Sequence, residues 1–527
     1  MKTTRPDPAK PRRTRAAGVL PSLGAAATVV SLAVALSGSA AVASAAEPAA
    51  PTGIVLGVGA KENQRVVSWY ATTGDAQFVQ VAPTAKLVHG QFPKNAQTFP
   101  ATVAANVVNG GYNGHATLDG LRQDTQYSYR VGTGGAWSPA YAFKTRKFKG
   151  DFDFLFFGDP QIGSSGNTAK DGEGWADTLD VALGANPEAE LLVSGGDQVE
   201  TANTESQWSS FLGSDKLRQY PWAATIGNHD VGGKAYEQHF WTPNTDRSAP
   251  YYNGSPATRS GGDYWFAYKD VLFIDINSNA YAAGADEAHV GYISDVIAKH
   301  GAKAKYKVLV YHHAIYSPAA HANDTDNQVR RKDFPTAFSN LGIDLVLQGH
   351  DHSYSRSYVL KNGQKANPDE QPGATKVEQG PGGVVYVTAN SASGSKYYDL
   401  TKPDVTKAPD FGPDPLDPNR HWANSVENQE HVRTYVKVSV RDDKLAVENV
   451  RSSTCDAPNA AVELQQVKWC GPDNGAGAAK PVGSLVDKVV LRPYRSNENN
   501  QGDDNDQGAS RDADAWVRRG DAVTSLN

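Results

Sequence analysis

Cysteine is nearly missing from this chain, with two residues in 527. A cysteine-rich metal cluster is thereby excluded, and any metal site must be built from His, Asp, Glu and Asn. A strong excess of charge of either sign is missing as well. A net charge of -6, with 20% charged residues, leaves no electrostatic footprint for duplex DNA or RNA and suits small polar substrates better. After residue 46 no apolar run is long enough to span a bilayer, so no stable membrane span is expected. What remains is ordinary globular material, 39% hydrophobic and long enough for two or three domains.

The N-terminus has a different character. KPRRTR is basic, Val19 to Leu36 is mostly small and apolar, and AVASAAEP offers small residues for cleavage. Residues 1–46 therefore read as a secretory signal peptide cut near Ala45 or Ala46. Arg12 and Arg13 leave twin-arginine and general export both open. Export implies a secreted, oxidising setting, in which Cys455 and Cys470 of TCDAPNAAVELQQVKWC would close one disulfide; two buried thiols are the alternative. Residues 496–527 are polar and poor in apolar side chains, the composition of a disordered tail.

Residues 50–147 look all-β. RVVSWYAT turns Val67 and Trp69 to one face, and a turn at Asp119-Gly120 precedes alternating Tyr127, Tyr129 and Val131. The run from Leu118 to Val131 resembles a fibronectin type III sandwich, with Tyr127 as its corner tyrosine. From residue 150 to 495 the period changes: short apolar strands alternate with helical stretches such as WADTLDVALGA and VGYISDVIAKH. That is an α/β layout, with polar residues gathered where strands stop. Pro403 to Asn419, rich in Pro and Asp, reads as an ordered surface excursion.

Five strand ends carry chemistry. They are Asp159 in FFGDPQ, Asp197 in SGGDQVE, Asn228 and His229 in IGNHD, His312 in VLVYHHAIYS, and His350 with His352 in LVLQGHDHSYSR. Alternate side chains of an extended segment share a face, so His350 and His352 are expected to reach one point together. Carboxylates suit a cation pair, neutral imidazole suits borderline metals, and an amide oxygen ligates without adding charge.

In this order the motifs resemble those of the calcineurin-like metallophosphoesterases, closest in layout to the purple acid phosphatases with their N-terminal β domain. The resemblance implies two packed mixed sheets flanked by helices and a secreted phosphatase with two metal ions, of Fe, Mn, Zn or Ca. It implies attack of a metal-bound hydroxide on a phosphate monoester. It gives Asp197 the bridging position, Asp159 and His352 the first metal, and Asn228, His312 and His350 the second. His229 would act on the phosphate and leaving group, Asp230 would orient His229, and His321 would stand on the substrate side. His313 has no family role and reads as packing; Tyr354 and Arg356 match the family pattern and read as support. Two positions depart from the family. Gln161 stands where most relatives have His, and Glu200 where purple acid phosphatases have Tyr, so both are candidates for oxygen ligands at the first metal.

Two other functions remain open: a phosphodiesterase on the same site, and a non-enzymatic protein whose sandwich binds glycans or a partner. Trp241, Tyr251, Tyr397 and Trp422 offer rings for stacking on a nucleoside or sugar, against the commoner fate of packing in a core. The sequence leaves the oligomeric state unknown.

Overall fold

The computed structural model describes residues 50–247, 260–281, 284–403, 411–454 and 480–494. The expected signal peptide, Tyr251, Cys455, Cys470 and the C-terminal tail lie outside the described residues. Among the described residues, no helix is long and apolar enough to cross a membrane.

Strand Phe152–Phe157 shows how the layers arise. Phe154 and Phe156 point into a core shared with Phe273, Val308, Val310, Leu345 and Leu347 of a second sheet. Leu155 and Phe157 point the other way, onto Trp175 and Leu179 of helix Thr168–Ala185. A strand covered on both sides has no polar face, which is why FDFLFF reads as a continuous apolar run. The second sheet repeats the device: Leu309 and Val346 pack on Ile293, Phe334 and Phe338 of helices Ala285–His300 and Thr325–Asn340. Two sheets with helices outside give the expected α/β sandwich. Helix Thr168–Ala185 starts where Asn167 accepts a hydrogen bond from the Lys170 amide at 3.1 Å.

One sheet has eleven strands and the other seven. In the first, Phe152–Phe157, Leu191–Ser194 and Trp222–Ala223 run parallel; in the second, Tyr306–Val310 and Leu345–Gln348 do. Parallel neighbours put their C-terminal ends on one edge, and that edge carries every strand-end motif.

The N-terminal β region is joined to this body through the larger sheet. Thr52–Val58 pairs in parallel with Trp222–Ala223 at Gly57 and Trp222, which carries the sheet on through Arg65–Ala71 and Tyr112–Leu118. Val67 and Trp69 do face the sandwich core with Tyr129 and Val131. The opposite face of the same strand is also covered: Ser68, 4% exposed, lines a cleft with His239, Phe240 and Trp241. Tyr127 takes the corner position, its hydroxyl accepting from the Arg122 amide at 2.9 Å. Trp241 is no free platform, since His115 and the Arg247 guanidinium each lie 3.8 Å from its ring centre. Trp422 packs on the second sheet's helical layer beside Tyr316, and Tyr397 lies against His431. Within the expected excursion, Phe411 is buried and a hairpin pairs Pro413–Asp414 with Asp417–His421.

Candidate metal centre

Each strand stops and its next residues turn sharply. Asp159, Gln161, Asp197, His350 and His352 all take left-handed backbone angles, with φ of 35°, 36°, 46°, 74° and 43°. They are five of the eleven non-glycine residues that do so among the described residues. Such angles are costly for L-residues and concentrate where function holds them. Two glycines make the close approach possible. A Cβ at Gly227 would meet Asp197 Oδ1 at 2.0 Å, and one at Gly349 would meet Asp159 Oδ2 at 2.6 Å.

The left-handed turns also correct the expectation for His350 and His352. They follow the strand rather than continue it, and their rings serve different neighbours. His350 Nδ1 lies 3.1 Å from His312 Nε2, whereas His352 Nε2 lies 4.0 Å from Asp159 Oδ1. His312 is the hub. Its Nδ1–H donates to the Gly195 carbonyl at 2.8 Å, which leaves Nε2, facing Asn228 Oδ1 at 2.9 Å and Asp197 Oδ2 at 3.3 Å, as the nitrogen open to a metal once its proton is displaced. His352 Nδ1 is engaged in the same way by the Lys396 carbonyl at 2.9 Å. Three potential acceptors, from buried Asp197 and His350 and from the exposed Asn228, converge on one imidazole nitrogen, more than a single proton can serve and a fitting nest for a metal. The atoms of Asp197, His312 and His350 lie within 4.8 Å of one another.

Around the first position the donors are looser. Asp159 receives the His350 amide at 2.8 and 2.9 Å on its two oxygens. Gln161 Nε2 donates to Glu200 Oε2 at 2.8 Å, while the buried Gln161 Oε1 has no hydrogen-bond partner. An orphaned buried carbonyl oxygen, two residues along the loop from Asp159, has the chemistry of a hard-cation ligand. The Glu200 carboxylate is engaged by Gln161 and lies 3.6 Å from His229 Nδ1.

His229 is held through its backbone, whose amide donates to Asp197 Oδ1 at 2.9 Å, and through Nδ1, which donates to the Glu200 carbonyl at 2.8 Å. Its Nε2 is thus the atom left for chemistry. Asp230 does not orient that ring. Its fully buried carboxylate instead accepts the amides of Gln198 at 3.0 Å and Gly227 at 2.9 Å, bracing the Asp197 loop against the Asn228 loop. His321 stacks on His350 with ring centres 3.9 Å apart, its Nδ1 bound to Asp324 at 2.6 Å. His313 packs beside His350 and bonds Ser278 Oγ at 2.9 Å. Tyr354 and Arg356 both anchor on Asp487 of the C-terminal strand, at 2.8 and 2.6 Å.

Sequence reasoning missed Asp351. Buried between the two histidines, it accepts the amides of Ala319 at 2.8 Å and His321 at 3.0 Å and so fixes the loop that carries His321. Its signal was an acid lodged inside GHDH. It also missed Lys396 and Tyr398, which adjoin His352 from a segment with no motif of its own.

Packing so many ionisable groups together displaces them. Burial would raise Asp197, but the charge and hydrogen bond of His312 outweigh it and take the carboxyl down to about 2. Burial would lower His312, and Asp197 more than reverses that, to about 9. Burial raises Asp159 well above its ordinary value, and burial with the Asp197 charge raises Asp230 to about 8. His350 is held well below its usual range by burial and neighbouring imidazoles, and His352 is lowered to about 3, chiefly by burial. Both imidazoles are therefore neutral at physiological pH.

Residues 51–145 match the family described as purple acid phosphatase, N-terminal domain, and residues 152–354 match calcineurin-like phosphoesterase. The chain is purple-acid-phosphatase-like. Phosphoenolpyruvate phosphatase of Allium cepa is 22% identical over 264 residues, 48% of this chain and 52% of that protein. Purple acid phosphatase 1 of Ipomoea batatas is 24% identical over 260 residues, 47% of this chain and 52% of that protein. The chain thus spans about half the length of the curated relatives it matches. Among solved structures, a purple acid phosphatase from yellow lupin (Lupinus luteus) seeds shares the fold, with a TM-score of 0.62 at 16% identity, covering 84% of this chain and 74% of that one.

Proposed function

We propose that this purple-acid-phosphatase-like chain is an exported dimetal phosphoesterase that hydrolyses phosphate monoesters. The observation that carries the reading is the convergence of Asn228, Asp197 and His350 on His312 Nε2, with the other nitrogen of that ring already engaged. Asn228, His312 and His350 would hold one cation, and Asp159, His352 and Gln161 Oε1 the other, with Asp197 between them. When bound, such a pair supplies Lewis acidity and a water of lowered pKa. The chain's own groups do the rest. His229, fixed at Nδ1 by the Glu200 carbonyl, would pass a proton from Nε2 to the departing ester oxygen. His321, fixed by Asp324 and Asp351, would offer Nε2 to the phosphate.

Export rests on the basic segment, the apolar run and the small residues around Ala45. The test is a comparison of p-nitrophenyl phosphate with bis(p-nitrophenyl) phosphate, using protein recovered from culture supernatant. Faster monoester turnover by a chain that begins just after Ala45 or Ala46 supports the reading. Faster diester turnover transfers the site to phosphodiesters, and a retained N-terminus removes the export claim.

A further inference from the structure

Nothing in the metal-ligand arrangement accounts for Lys396. Its carbonyl holds His352, while its ammonium lies 4.6 Å from the centre of the Tyr398 ring. That ring stands edge-on to His321 at 5.2 Å and to His352 at 5.4 Å. Among the described residues Lys396 forms no salt bridge, its ammonium being engaged by the neighbouring Tyr398. A cation without an acidic partner, one ring away from two site histidines, is a local charge that an anion can complement. We propose that Lys396, backed by Tyr398, is an anion-recognition element at the mouth of the metal centre, which selects doubly charged phosphate groups over singly charged diesters.

The physical argument runs through position and charge. Lys396 sits in the segment after Ser391, Ser393 and Ser395, whose hydroxyls bond the carbonyls of Asp159 and Pro160, so it is tied to the first-metal loop. The backbone from which Lys396 projects is therefore held against the loop that carries Asp159, and the Tyr398 ring engages its ammonium. A second negative charge on a monoester gains from a nearby ammonium roughly twice what a single charge does, since the interaction scales with the product of charges. Tyr398 holds the Lys396 ammonium by cation–π contact, and its ring stands edge-on to both His321 and His352. The inference rests on the phosphoesterase reading for its substrate, but its measurement does not require turnover.

The measurement is calorimetric binding of inorganic phosphate to the metal-loaded full chain, with metal content checked in each variant. Lys396→Met is expected to weaken phosphate binding about tenfold with both metals retained, and Lys396→Arg to recover most of it. The monoester-to-diester ratio of turnover should fall by a similar factor in Lys396→Met. Tyr398→Phe keeps the ring and should change phosphate affinity by less than about threefold. Unchanged affinity in Lys396→Met, equal losses in the Met and Arg variants, or no phosphate binding by the wild type would overturn the proposal. Lysine-dependent phosphate binding by a protein that hydrolyses no phosphoester would leave the anion site standing and remove the enzymatic reading instead.

Discussion

The two halves of the strand-end pocket are built on different plans. On one side Asn228, Asp197 and His350 crowd one imidazole nitrogen at 2.9 to 3.3 Å, with the tautomer set by a backbone carbonyl. On the other side His352 and Asp159 stand 4.0 Å apart, and Gln161 donates to Glu200 at 2.8 Å. On the proposed ligand sets, one position draws two nitrogens and two oxygens, from His312, His350, Asn228 and Asp197, while the other draws one nitrogen and three oxygens, from His352, Asp159, Gln161 and Asp197, and so accepts a wider choice of metal. Asp197 joins the two, and the first way to break the comparison is to remove it. Asp197→Ala is expected to lose both metals and all measurable turnover, read by metal analysis and a phosphatase assay. Loss of one metal alone would make the halves independent.

The next largest effect separates metal binding from proton transfer. His229→Ala should keep both metals and lose roughly two to four orders of magnitude in kcat. A metal-depleted variant would instead make His229 part of one of the halves.

A sharper test lies within the oxygen-rich half. Gln161→Ala removes the orphaned carbonyl and should weaken the first metal roughly ten- to hundredfold, with the second little changed. Glu200→Ala acts only by freeing the Gln161 amide, so its effect on the same metal should be smaller. No tyrosine stands at position 200, so the iron-loaded protein is expected to lack an intense tyrosinate band in the visible. Equal weakening at both metals in Gln161→Ala would erase the distinction between the halves.

The smallest effect concerns what backs this side. Gln429 donates to the carbonyls of His352 and Tyr398, both at 2.7 Å, and the neighbouring Glu430 is clamped by Arg451 at 2.7 Å. Burial would raise Glu430, but hydrogen bonds from Arg451, Lys480 and Asn428 take it down from 4.5 to about 2. A depressed carboxyl stabilises the fold above its ordinary value and ceases to do so as pH falls through the folded one. Glu430→Gln should therefore cost about 1 kcal/mol at neutral pH, the figure being reduced for partial exposure. The Tm gap to wild type should shrink between pH 4.5 and 2. A gap independent of pH would assign the loss to packing.

Most of the fold was legible because burial on both faces writes itself as runs such as FDFLFF and LVLQ, ended by Gly, Asp or His. The motifs were legible for the same reason: strand ends mark where the chain must turn. Pairing of Thr52–Val58 with Trp222–Ala223 was not legible, since a sheet edge does not announce its partner. The separate aims of His350 and His352 depend on positive φ angles, which spacing alone does not encode. Asp230 looked like an orienting carboxylate by adjacency to His229, yet its oxygens go to backbone amides brought near only by folding. Lys396 and Tyr398 lie more than forty residues beyond His352, in a stretch with no chemical signature.

The account's central claim is that the crowded donors exist to hold two metals that do the chemistry. Its most direct test is to strip the purified protein with a chelator, reload it stepwise, and follow metal equivalents per chain alongside p-nitrophenyl phosphate turnover. The account predicts no activity when stripped and full activity only as the second equivalent binds. Undiminished turnover in the stripped protein, or full activity with one equivalent, would contradict it.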